Sequence, residues 1–534
     1  MLPLISFTLL PFLLATPADL GGQSWDWLSA QVEPGQEAIT HLIEDGAGVM
    51  FGGTYTETIQ LAGTTLPNRG DNDILLGEAG PTGDIVAVSS IGGPGDDLPT
   101  ALRRMADGAF LLAGNYWGSI ELLDVTLTVP DDQKALFIAV FESLGAIRWA
   151  RSVSGSGLKE MSSVVETAEG DIIATGFFGG TLTVGPYTLE AEGKNDLFLA
   201  SFSPEGEVNW ATRAGYRSNT RATALATGLA GSLVVGGYYD DTTAIGTDTL
   251  VANTRDRDVF IASFDAAGNP QWARKAGGVH DDDLSGLATT SWGDIFATGF
   301  FVGVMNLGEG LSIESSTGFS DFFLLKYSAE GQPAAARAYG GPEVQQPTDL
   351  RIVDDKIALC GLFQGTMEID GRTVSAGGGF SSFFALFETD LDLAYLAAAS
   401  TEEEVFFRAV VPKGVDQWIA GGTYQGSFRA GSLLIGPGQG YDMVLGGLSM
   451  TATSTGEPRP DQAGFRIYPN PAGEWLNISC SASQFQVRLY SLNGRLISGY
   501  VSPEVIPLQG LGPGTYWIQC MEPERQHWRK LLIR

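Results

Sequence analysis

Two acidic runs are the residues in this 534-residue sequence whose types and spacing could bind a metal ion. Asp96-Asp97 and Asp281-Asp282-Asp283 each follow a pair of glycines, and carboxylate oxygens are the ligands that Ca²⁺ prefers. The corresponding stretches elsewhere read Ser218-Asn219-Thr220 or Glu343-Val344-Gln345, so the acidic residues do not recur. No Asp-x-Asp-x-Asp-Gly spacing is present either. Calcium at these loops is one hypothesis, and solvated acidic loops without a cofactor are the simpler interpretation.

The sequence offers little material for catalysis. Its three histidines, His41, His280 and His527, are far apart in the chain, and no Gly-x-Ser-x-Gly, P-loop or His-Glu-x-x-His motif occurs. The 62 acidic residues leave carboxylate pairs of the glycosidase kind available, but no pair is singled out. We therefore predict no catalytic and no cofactor-binding residue.

The net charge narrows the choice of partners. With 31 Lys and Arg against 62 Asp and Glu, it is 31 − 62 = −31. Nucleic-acid binding relies on basic residues that neutralise phosphates, so this charge argues against a nucleic-acid partner. It suits a soluble, exported protein.

One glycine recurs seven times at a spacing of 61 or 62 residues, and this repeat sets the expected architecture. A pattern Asp-x-Phe-x-x-x-Phe/Tyr, clearest at Asp196, Asp258 and Asp321, returns with a closely similar period. Apolar residues run at period two or in short bursts, which indicates strands rather than helices. The recurring glycines are Gly53, Gly114, Gly176, Gly237, Gly299, Gly361 and Gly422.

Four antiparallel strands in each of seven copies predict an all-β fold, a seven-bladed β-propeller over residues 25–450. A right-handed β-helix is the rival, although its rungs are usually shorter. The first copy is preceded by an extra strand, Trp25–Ala30, and the last copy ends near Asp442–Leu445 without its fourth strand. We expect Trp25–Ala30 to complete the last blade and close the ring.

The copies resemble a bacterial β-propeller repeat family. Its repeats carry a glycine pair, an acidic loop, a glycine-bounded apolar core, an Asp-x-Phe strand and a Gly-x-x-x-Trp strand. In this sequence Gly277-Gly278, Gly293-Asp294-Ile295, Gly299 and Asp321-Phe322-Phe323 stand in those places. The resemblance implies the fold and says little about ligand or activity.

The two ends of the repeat region carry different signals. Residues 1–18 are apolar and end in Thr16-Pro17-Ala18, which predicts a secretory signal peptide. A membrane anchor is the alternative, but the run is short and interrupted by proline, and we predict no transmembrane segment. Residues 451–462 are polar and contain prolines, as expected of a linker.

The last segment, residues 463–534, departs from the repeat and predicts a small β-sandwich. Its motifs, in chain order, are Tyr468-Pro469-Asn470-Pro471, a hairpin turn at Asn493-Gly494, a strand with Gly514 and Tyr516, and a basic apolar end with Lys530. They resemble the C-terminal sorting domain of proteins exported by the type IX secretion system. An ordinary terminal β-sandwich is the alternative.

The resemblance implies a Gram-negative host, the type IX machinery as partner, and a secreted or outer-membrane surface location reached through the periplasm. Cys480 and Cys520 both fall on predicted strands of this segment, and an oxidising periplasm would permit a disulfide between them if the geometry fits. Cys360 lies in an apolar strand and is expected to be a small buried residue.

Export signals at both ends, a repeat scaffold and the lack of catalytic motifs predict a binding or adhesion module. Its ligand would be a glycan or another surface protein. One alternative is an exported glycan hydrolase or lyase that uses carboxylates in the propeller funnel, and another is a structural protein of an extracellular matrix. Aromatic pairs such as Phe177-Phe178 and Tyr238-Tyr239 are expected to pack between blades rather than to stack on a ligand.

Overall fold

A computed structural model describes residues 24–449, except positions 34, 317, 354–355, 414–416 and 439. Beyond these it describes 466–468, 475–479, 486–491, 496–501, 503, 505–508, 511–512, 514–521 and 526–533. The chain divides into two compact units after residue 451. The predicted signal peptide and linker lie outside the described residues. Within them, no helix is long and apolar enough to cross a membrane.

The first unit is built almost entirely of strands, with one 3-10 turn at Leu229–Gly231. The strands of its first half, in chain order, are β1 (Ser24–Gln31), β2 (Glu37–Asp45), β3 (Gly48–Tyr55), β4 (Ile59–Leu61), β5 (Thr64–Leu66), β6 (Asp73–Ala79), β7 (Ile85–Ile91), β8 (Leu98–Arg104), β9 (Phe110–Trp117), β10 (Ser119–Leu122), β11 (Val125–Thr128), β12 (Lys134–Ser143), β13 (Ala146–Val153), β14 (Lys159–Glu166), β15 (Ile172–Phe178), β16 (Thr181–Val184), β17 (Tyr187–Glu190), β18 (Asp196–Phe202), β19 (Val208–Ala214), β20 (Thr220–Thr227) and β21 (Leu233–Asp240).

The second half of the same unit continues in the same manner. Its strands are β22 (Thr242–Ile245), β23 (Asp248–Val251), β24 (Arg257–Phe264), β25 (Pro270–Ala276), β26 (Asp283–Thr289), β27 (Ile295–Phe301), β28 (Val304–Gly308), β29 (Leu311–Glu314), β30 (Asp321–Tyr327), β31 (Pro333–Tyr339), β32 (Gln345–Val353), β33 (Lys356–Phe363), β34 (Thr366–Ile369), β35 (Arg372–Ser375), β36 (Ser381–Glu388), β37 (Leu393–Thr401), β38 (Glu404–Pro412), β39 (Gln417–Gln425), β40 (Phe428–Ala430), β41 (Leu433–Ile435) and β42 (Asp442–Ser449).

Each of the first six copies of the repeat forms a four-stranded antiparallel arrangement from strands that follow one another in the chain. A short two-stranded hairpin is inserted between the second and third strands. The hairpin of the last copy, β40-β41, extends the sheet of the sixth copy through β37. The strand orders are β2-β3-β6-β7, β8-β9-β12-β13, β14-β15-β18-β19, β20-β21-β24-β25, β26-β27-β30-β31 and β32-β33-β36-β37.

The N-terminal strand completes the sheet of the last copy. The order there is β38-β39-β42-β1, and β1 pairs antiparallel with β42 from Ser24 opposite Ser449 to Gln31 opposite Met443. Trp25 stacks on Phe407 with ring centroids 5.0 Å apart. The predicted pairing of Trp25–Ala30 with the last copy is therefore present.

Tryptophans show that β1 fills the same role as the fourth strand of other copies. A Cβ added to the turn glycine Gly206 would lie 2.6 Å from the Trp149 ring of the preceding copy. The same relation joins Gly268 to Trp210 and Gly331 to Trp272, which fixes how neighbouring sheets stack. A Cβ added to Gly83 of the first copy would likewise lie 2.3 Å from the ring of Trp27 in β1.

The first strands of the copies contact one another in unbroken succession. Strand β2 contacts β8, and the series continues through β14, β20, β26, β32 and β38, which contacts β2 again. Apolar clusters lie between consecutive sheets, because each draws its residues from two neighbouring copies. The second residue after each recurring glycine is a fully buried aromatic, as expected of packing; these are Tyr55, Tyr116, Phe178, Tyr239, Phe301, Phe363 and Tyr424. Cys360 is also fully buried, as predicted.

The recurring glycine is required by a close backbone contact. A Cβ at Gly299 would lie 1.9 Å from the carbonyl oxygen of Asp283 in the preceding strand. At Gly176 the corresponding distance, to the carbonyl oxygen of Glu160, is 2.0 Å. A Cβ added at any of the seven recurring glycines would lie 2.4 Å or less from a carbonyl oxygen of the first strand of the same copy. A side chain at this position would force two hydrogen-bonded strands apart, since backbone cannot move aside cheaply.

The second unit consists of two sheets that share one apolar core. One sheet has the order β43-β44-β47 and the other β46-β45-β48-β49. Leu476, Ile506, Leu489 and Ile518 are among the buried residues that both contribute. The strands are β43 (Arg466–Tyr468), β44 (Trp475–Ser479), β45 (Gln486–Ser491), β46 (Leu496–Val501), β47 (Val505–Pro507), β48 (Gly514–Met521) and β49 (Gln526–Ile533).

We predict that Gly299→Ala destabilises the first unit by roughly 3 kcal/mol, because the new methyl group overlaps the Asp283 carbonyl. Urea unfolding of the full-length chain measures the change. Gly145→Ala is the matched control, since nothing lies within 4 Å of its Cβ position. Equal effects of the two substitutions would contradict the steric explanation.

Removal of the Trp25 side chain should weaken the junction between β1 and the last copy. Trp25 is buried, so Trp25→Ala is expected to lower the free energy of unfolding by about 3–5 kcal/mol. Trp117→Ala, at a residue that is 38% exposed, should have a much smaller effect. Thermal unfolding followed by tryptophan fluorescence compares the two, and an unchanged midpoint for Trp25→Ala would show that β1 is not bound in solution.

Candidate functional site

A β-bulge occurs at the equivalent place in every first strand of the described sheets. A bulge inserts one extra residue and re-aims its side chain. Six of the bulged residues carry a hydroxyl group and the seventh is an arginine. They are Thr40, Thr100, Ser162, Thr223, Ser285, Thr348 and Arg408.

These residues line one polar cavity of about 140 Å³ to which all seven first strands contribute. Alongside them, the lining has small and aliphatic residues such as Ala224, Gly286 and Leu350. The volume is close to the ~150 Å³ of an engineered cavity that takes up benzene. The cavity therefore has room for one ring-sized group or a small ion with water.

The bulged hydroxyls also join neighbouring copies. Thr223 Oγ1 donates a hydrogen bond of 2.6 Å to the Leu284 carbonyl of the next first strand. Thr348 Oγ1 donates at 3.0 Å to the Phe407 carbonyl in the same manner. Each hydroxyl that donates to backbone keeps its lone pairs, so it faces the cavity as an acceptor.

Cations outnumber anions in the cavity wall. Arg103, Arg351 and Arg408 contribute three positive charges, and Asp349 is the one acidic residue of the lining. Arg351 Nε lies 3.1 Å from Asp349 Oδ2, so these two neutralise each other. Asp349 Oδ2 also accepts a hydrogen bond from the Val410 backbone N–H at 3.2 Å.

The other two arginines lie outside any ion pair found among the described residues. Arg103 Nη1 donates to its neighbour's carbonyl, that of Leu102, at 3.0 Å. Arg408 also lines the cavity, and its guanidinium lies over the Phe406 ring, 5.6 Å from its centroid. With His41 neutral, the formal charge of the lining is 3 − 1 = +2 in a chain of net charge −31.

The pKa values of two residues of the wall are lowered, chiefly by burial. Burial lowers the pKa of Arg103 to about 9, with Arg351 acting in the same direction and Asp349 opposing. Burial and the charge of Arg103 lower the pKa of His41 to about 4, so the imidazole is neutral at pH 7. His41 Nδ1 and Thr40 Oγ1 share a hydrogen bond of 2.8 Å. A further positive charge is disfavoured in this cavity, and a negative one would be favoured.

The acidic runs singled out in the sequence do not line this cavity. Asp281 and Asp283 pair with Arg257 at 3.0 and 2.7 Å, and Asp96 Oδ1 accepts a hydrogen bond from Asn72 at 2.7 Å. Among the described residues, no three or more Asp, Glu, His or Cys side chains form a cluster suited to a metal ion. Calcium at these loops stays an untested prediction.

The expectation of solvated acidic loops is wrong for two of these residues. Asp97 and Asp282 are fully buried where two consecutive sheets meet. Asp97 Oδ2 accepts a hydrogen bond from the Gly93 N–H at 2.6 Å, and Asp282 Oδ2 accepts one from the Gly278 N–H at 2.8 Å. The sequence shows that both are at equivalent positions, but not that the position is interior.

Each of these carboxyls faces an aspartate of the preceding sheet. Burial raises the pKa of Asp97 to about 8, and the charge of Asp73 adds to the effect. Asp282 is raised to a pKa of about 8 by burial and, further, by Asp258. Glu37 occupies the equivalent position of the first copy, and burial together with Asp442 raises its pKa to about 8.

The same position in other copies holds a residue that is not acidic. It is Lys159, Thr220, Gln345 or Val405, and all four are buried. Gln345 Oε1 accepts the Gly341 N–H at 3.1 Å, as the Asp97 carboxylate accepts that of Gly93. The neutral amide of Gln345 therefore corresponds to a protonated carboxyl at Asp97 and Asp282.

These shifts predict that stability falls as the pH rises. A carboxyl with a folded pKa near 8 and an ordinary unfolded pKa contributes fully below pH 4, and the contribution is lost between about pH 4 and 8. Asp97→Asn and Asp282→Asn should each raise the unfolding free energy at pH 8.5 by roughly 2 kcal/mol and change it little at pH 4.

Gln345→Glu introduces an acid at the equivalent position, so it should make the free energy of unfolding fall more steeply between pH 4 and 8.5. Urea unfolding at both pH values measures all three. A parallel shift of the asparagine variants at the two pH values would show that these carboxyls are ionised in the folded protein.

The motif residues of the second unit are described in part. Tyr468 ends β43, while Pro469, Asn470, Pro471, Asn493 and Gly494 lie outside the described residues. Gly514 begins β48, Lys530 lies in β49, and the Tyr516 hydroxyl donates at 2.9 Å to the Gly512 carbonyl. Cys520 is buried in β48, but Cys480 lies outside the described residues, so the disulfide stays a prediction.

Comparison with protein families identifies the second unit. Residues 466–534 match the family described as the secretion system C-terminal sorting domain. This confirms the prediction of a sorting domain for the type IX secretion system. The chain is accordingly delivered to the cell surface or the extracellular space.

Two relatives match parts of the chain. One is the regulatory protein FlaEY of Caulobacter vibrioides, 23% identical over 49% of this chain and 30% of that protein. The other is an uncharacterised WD repeat-containing protein of Acanthamoeba polyphaga mimivirus, 25% identical over 27% of this chain and 13% of that protein. The chain thus spans less than a third of the length of either relative.

Solved structures give only distant likeness. The extracellular domain of a putative hybrid two-component system from B. thetaiotaomicron is 10% identical, with 93% of this chain and 92% of that chain covered and a TM-score of 0.16. A mutant of the Synechocystis apocarotenoid oxygenase is 9% identical, with 70% and 91% covered and a TM-score of 0.34. Scores at this level carry no argument about fold or function.

Proposed function

We propose that residues 25–450 form a seven-bladed β-propeller that the type IX secretion system exports as a binding module. The succession of first strands from β2 round to β38 and back supports a closed ring of blades. The exchange of β1 into the sheet of the last copy supports it further, since a propeller protects its edges in this way. The rival β-helix would not need that exchange.

The central pocket supports binding over catalysis. It is lined by Thr, Ser, Gly, Ala and Leu residues, together with the charged residues described above, and every first strand contributes to it. Asp349 is the one carboxylate of its lining and is neutralised by Arg351 at 3.1 Å. A glycosidase needs two carboxyl groups about 5–10 Å apart across the scissile bond, and this wall supplies one.

The surplus arginine charge is the observation on which the proposal rests. Two arginines, Arg103 and Arg408, face a pocket with no acid left to neutralise them. Arg combines planar hydrogen bonding with a permanent charge, which suits ligand recognition. The ligand would be a component of the extracellular surroundings, such as a glycan or the exposed part of a surface protein.

Binding of the purified full-length chain to arrayed extracellular glycans and to surface-protein extracts tests this function. We expect saturable binding that Arg408→Gln weakens about tenfold or more, because Arg408 lines the pocket. Arg429→Gln, at an exposed arginine outside the pocket, should bind as the unaltered chain does. Turnover of a polysaccharide or peptide without saturable binding would contradict the proposal and favour the enzyme.

A further inference from the structure

The pocket combines two chemical requirements that a ligand must satisfy together. The first is negative charge. Arg103 and Arg408 lie on first strands of different copies, and neither has an acidic partner among the described residues. Burial is the main cause of the lowered pKa values of Arg103 and His41, and Asp349 opposes both shifts. A carboxylate that enters would pair with guanidinium groups already held in place.

The second requirement is hydrogen-bond donation. Thr223 and Thr348 already donate to the backbone carbonyls of Leu284 and Phe407. Their oxygens can therefore accept from a ligand, and the arginines cannot accept at all. A ligand that fits both groups carries hydroxyl donors next to an anion. An inorganic anion without hydroxyl groups can pair with the arginines, but the Thr and Ser hydroxyls of the lining are then left with only water as a hydrogen-bond donor.

We propose that the central pocket binds a hydroxy-carboxylate of sugar size, either as a free acid or as the terminal uronic acid of an acidic polysaccharide. This inference rests on the proposed binding function and specifies its ligand class. The cavity of about 140 Å³ matches a benzene-sized group, so it would take the carboxylate end of one sugar unit, and a polymer would enter by its end. The carboxylate lies beside Arg103 and His41, Arg408 lines another part of the wall, and the sugar hydroxyls donate to the bulged Thr and Ser side chains.

Calorimetric titration of the full-length chain with D-galacturonate, D-galactose and sulfate tests the ligand class. We expect galacturonate to bind about tenfold or more tightly than galactose, which has a similar ring without the carboxylate. It should also bind more tightly than sulfate, which lacks hydroxyl donors. A comparison of the affinities for oligogalacturonate and for monomeric galacturonate then shows whether the pocket prefers the end of a polymer or a free acid.

Two substitutions test whether the pocket arginines contribute to ligand binding. Arg103→Gln and Arg408→Gln should each weaken galacturonate binding about tenfold, whereas Arg429→Gln should not change it. Arg408 is an exposed residue and part of the pocket lining, so its variant tests the inference even if Arg103→Gln disturbs folding. Near-equal galacturonate affinities for all three variants would place the ligand elsewhere.

His41 supplies a readout that a purely structural effect would not move. The chain has three histidines, and His41→Gln identifies the His41 ring signals in a nuclear magnetic resonance spectrum. The charged groups that act on His41 are Arg103, Asp349 and Arg351, and a carboxylate bound next to its ring would raise the pKa of His41 from about 4. We expect galacturonate to raise it and galactose to leave it unchanged.

The possible outcomes distinguish a failure of this inference from a failure of the proposed binding function. Tighter binding of galactose or sulfate than of galacturonate overturns the ligand class and leaves the binding function in place. So does an unchanged His41 pKa in chain saturated with galacturonate. If glycans, surface proteins and these small molecules all fail to bind, the proposed function falls and the inference with it.

Discussion

The backbone carbonyl that each first strand places against the recurring glycine is the constraint on which the rest of the structure depends. At Gly299 a Cβ atom would lie only 1.9 Å from that oxygen, so a side chain is excluded. The bulge beside this contact turns a hydroxyl such as Ser285 toward the pocket. One backbone feature, repeated in each copy, thus explains both the periodic signal in the sequence and the polar ring at the centre.

The parts of the structure that are periodic or local could be predicted from the sequence. The repeat was predicted from the spacing of the glycines, because a position that admits no side chain keeps its glycine in every copy. The unmatched Trp25–Ala30 segment and the incomplete last copy predicted the strand exchange, because each lacked what the other supplied. The sorting domain was recognisable because its motifs, such as Gly514 and Tyr516, keep a fixed order in a short segment.

The pocket could not be predicted, because its residues are brought together only by the ring of first strands. Arg103, Arg351 and Arg408 come from three copies, and nothing in their local sequences distinguishes them from surface arginines. The burial of Asp97 and Asp282 was hidden for a related reason. Their partners Asp73 and Asp258 belong to the preceding sheet, so the desolvation that raises both pKa values appears only when two sheets are stacked.

The exchange of β1 also decides how the first unit would resist a pulling force. Strand β42 ends at Ser449, just before the segment that leads to the sorting domain. It is hydrogen-bonded to β39 on one side and to β1 on the other. Tension transmitted through the tail of a surface-held molecule would therefore reach an interior strand, and two ladders would have to shear together before it came free.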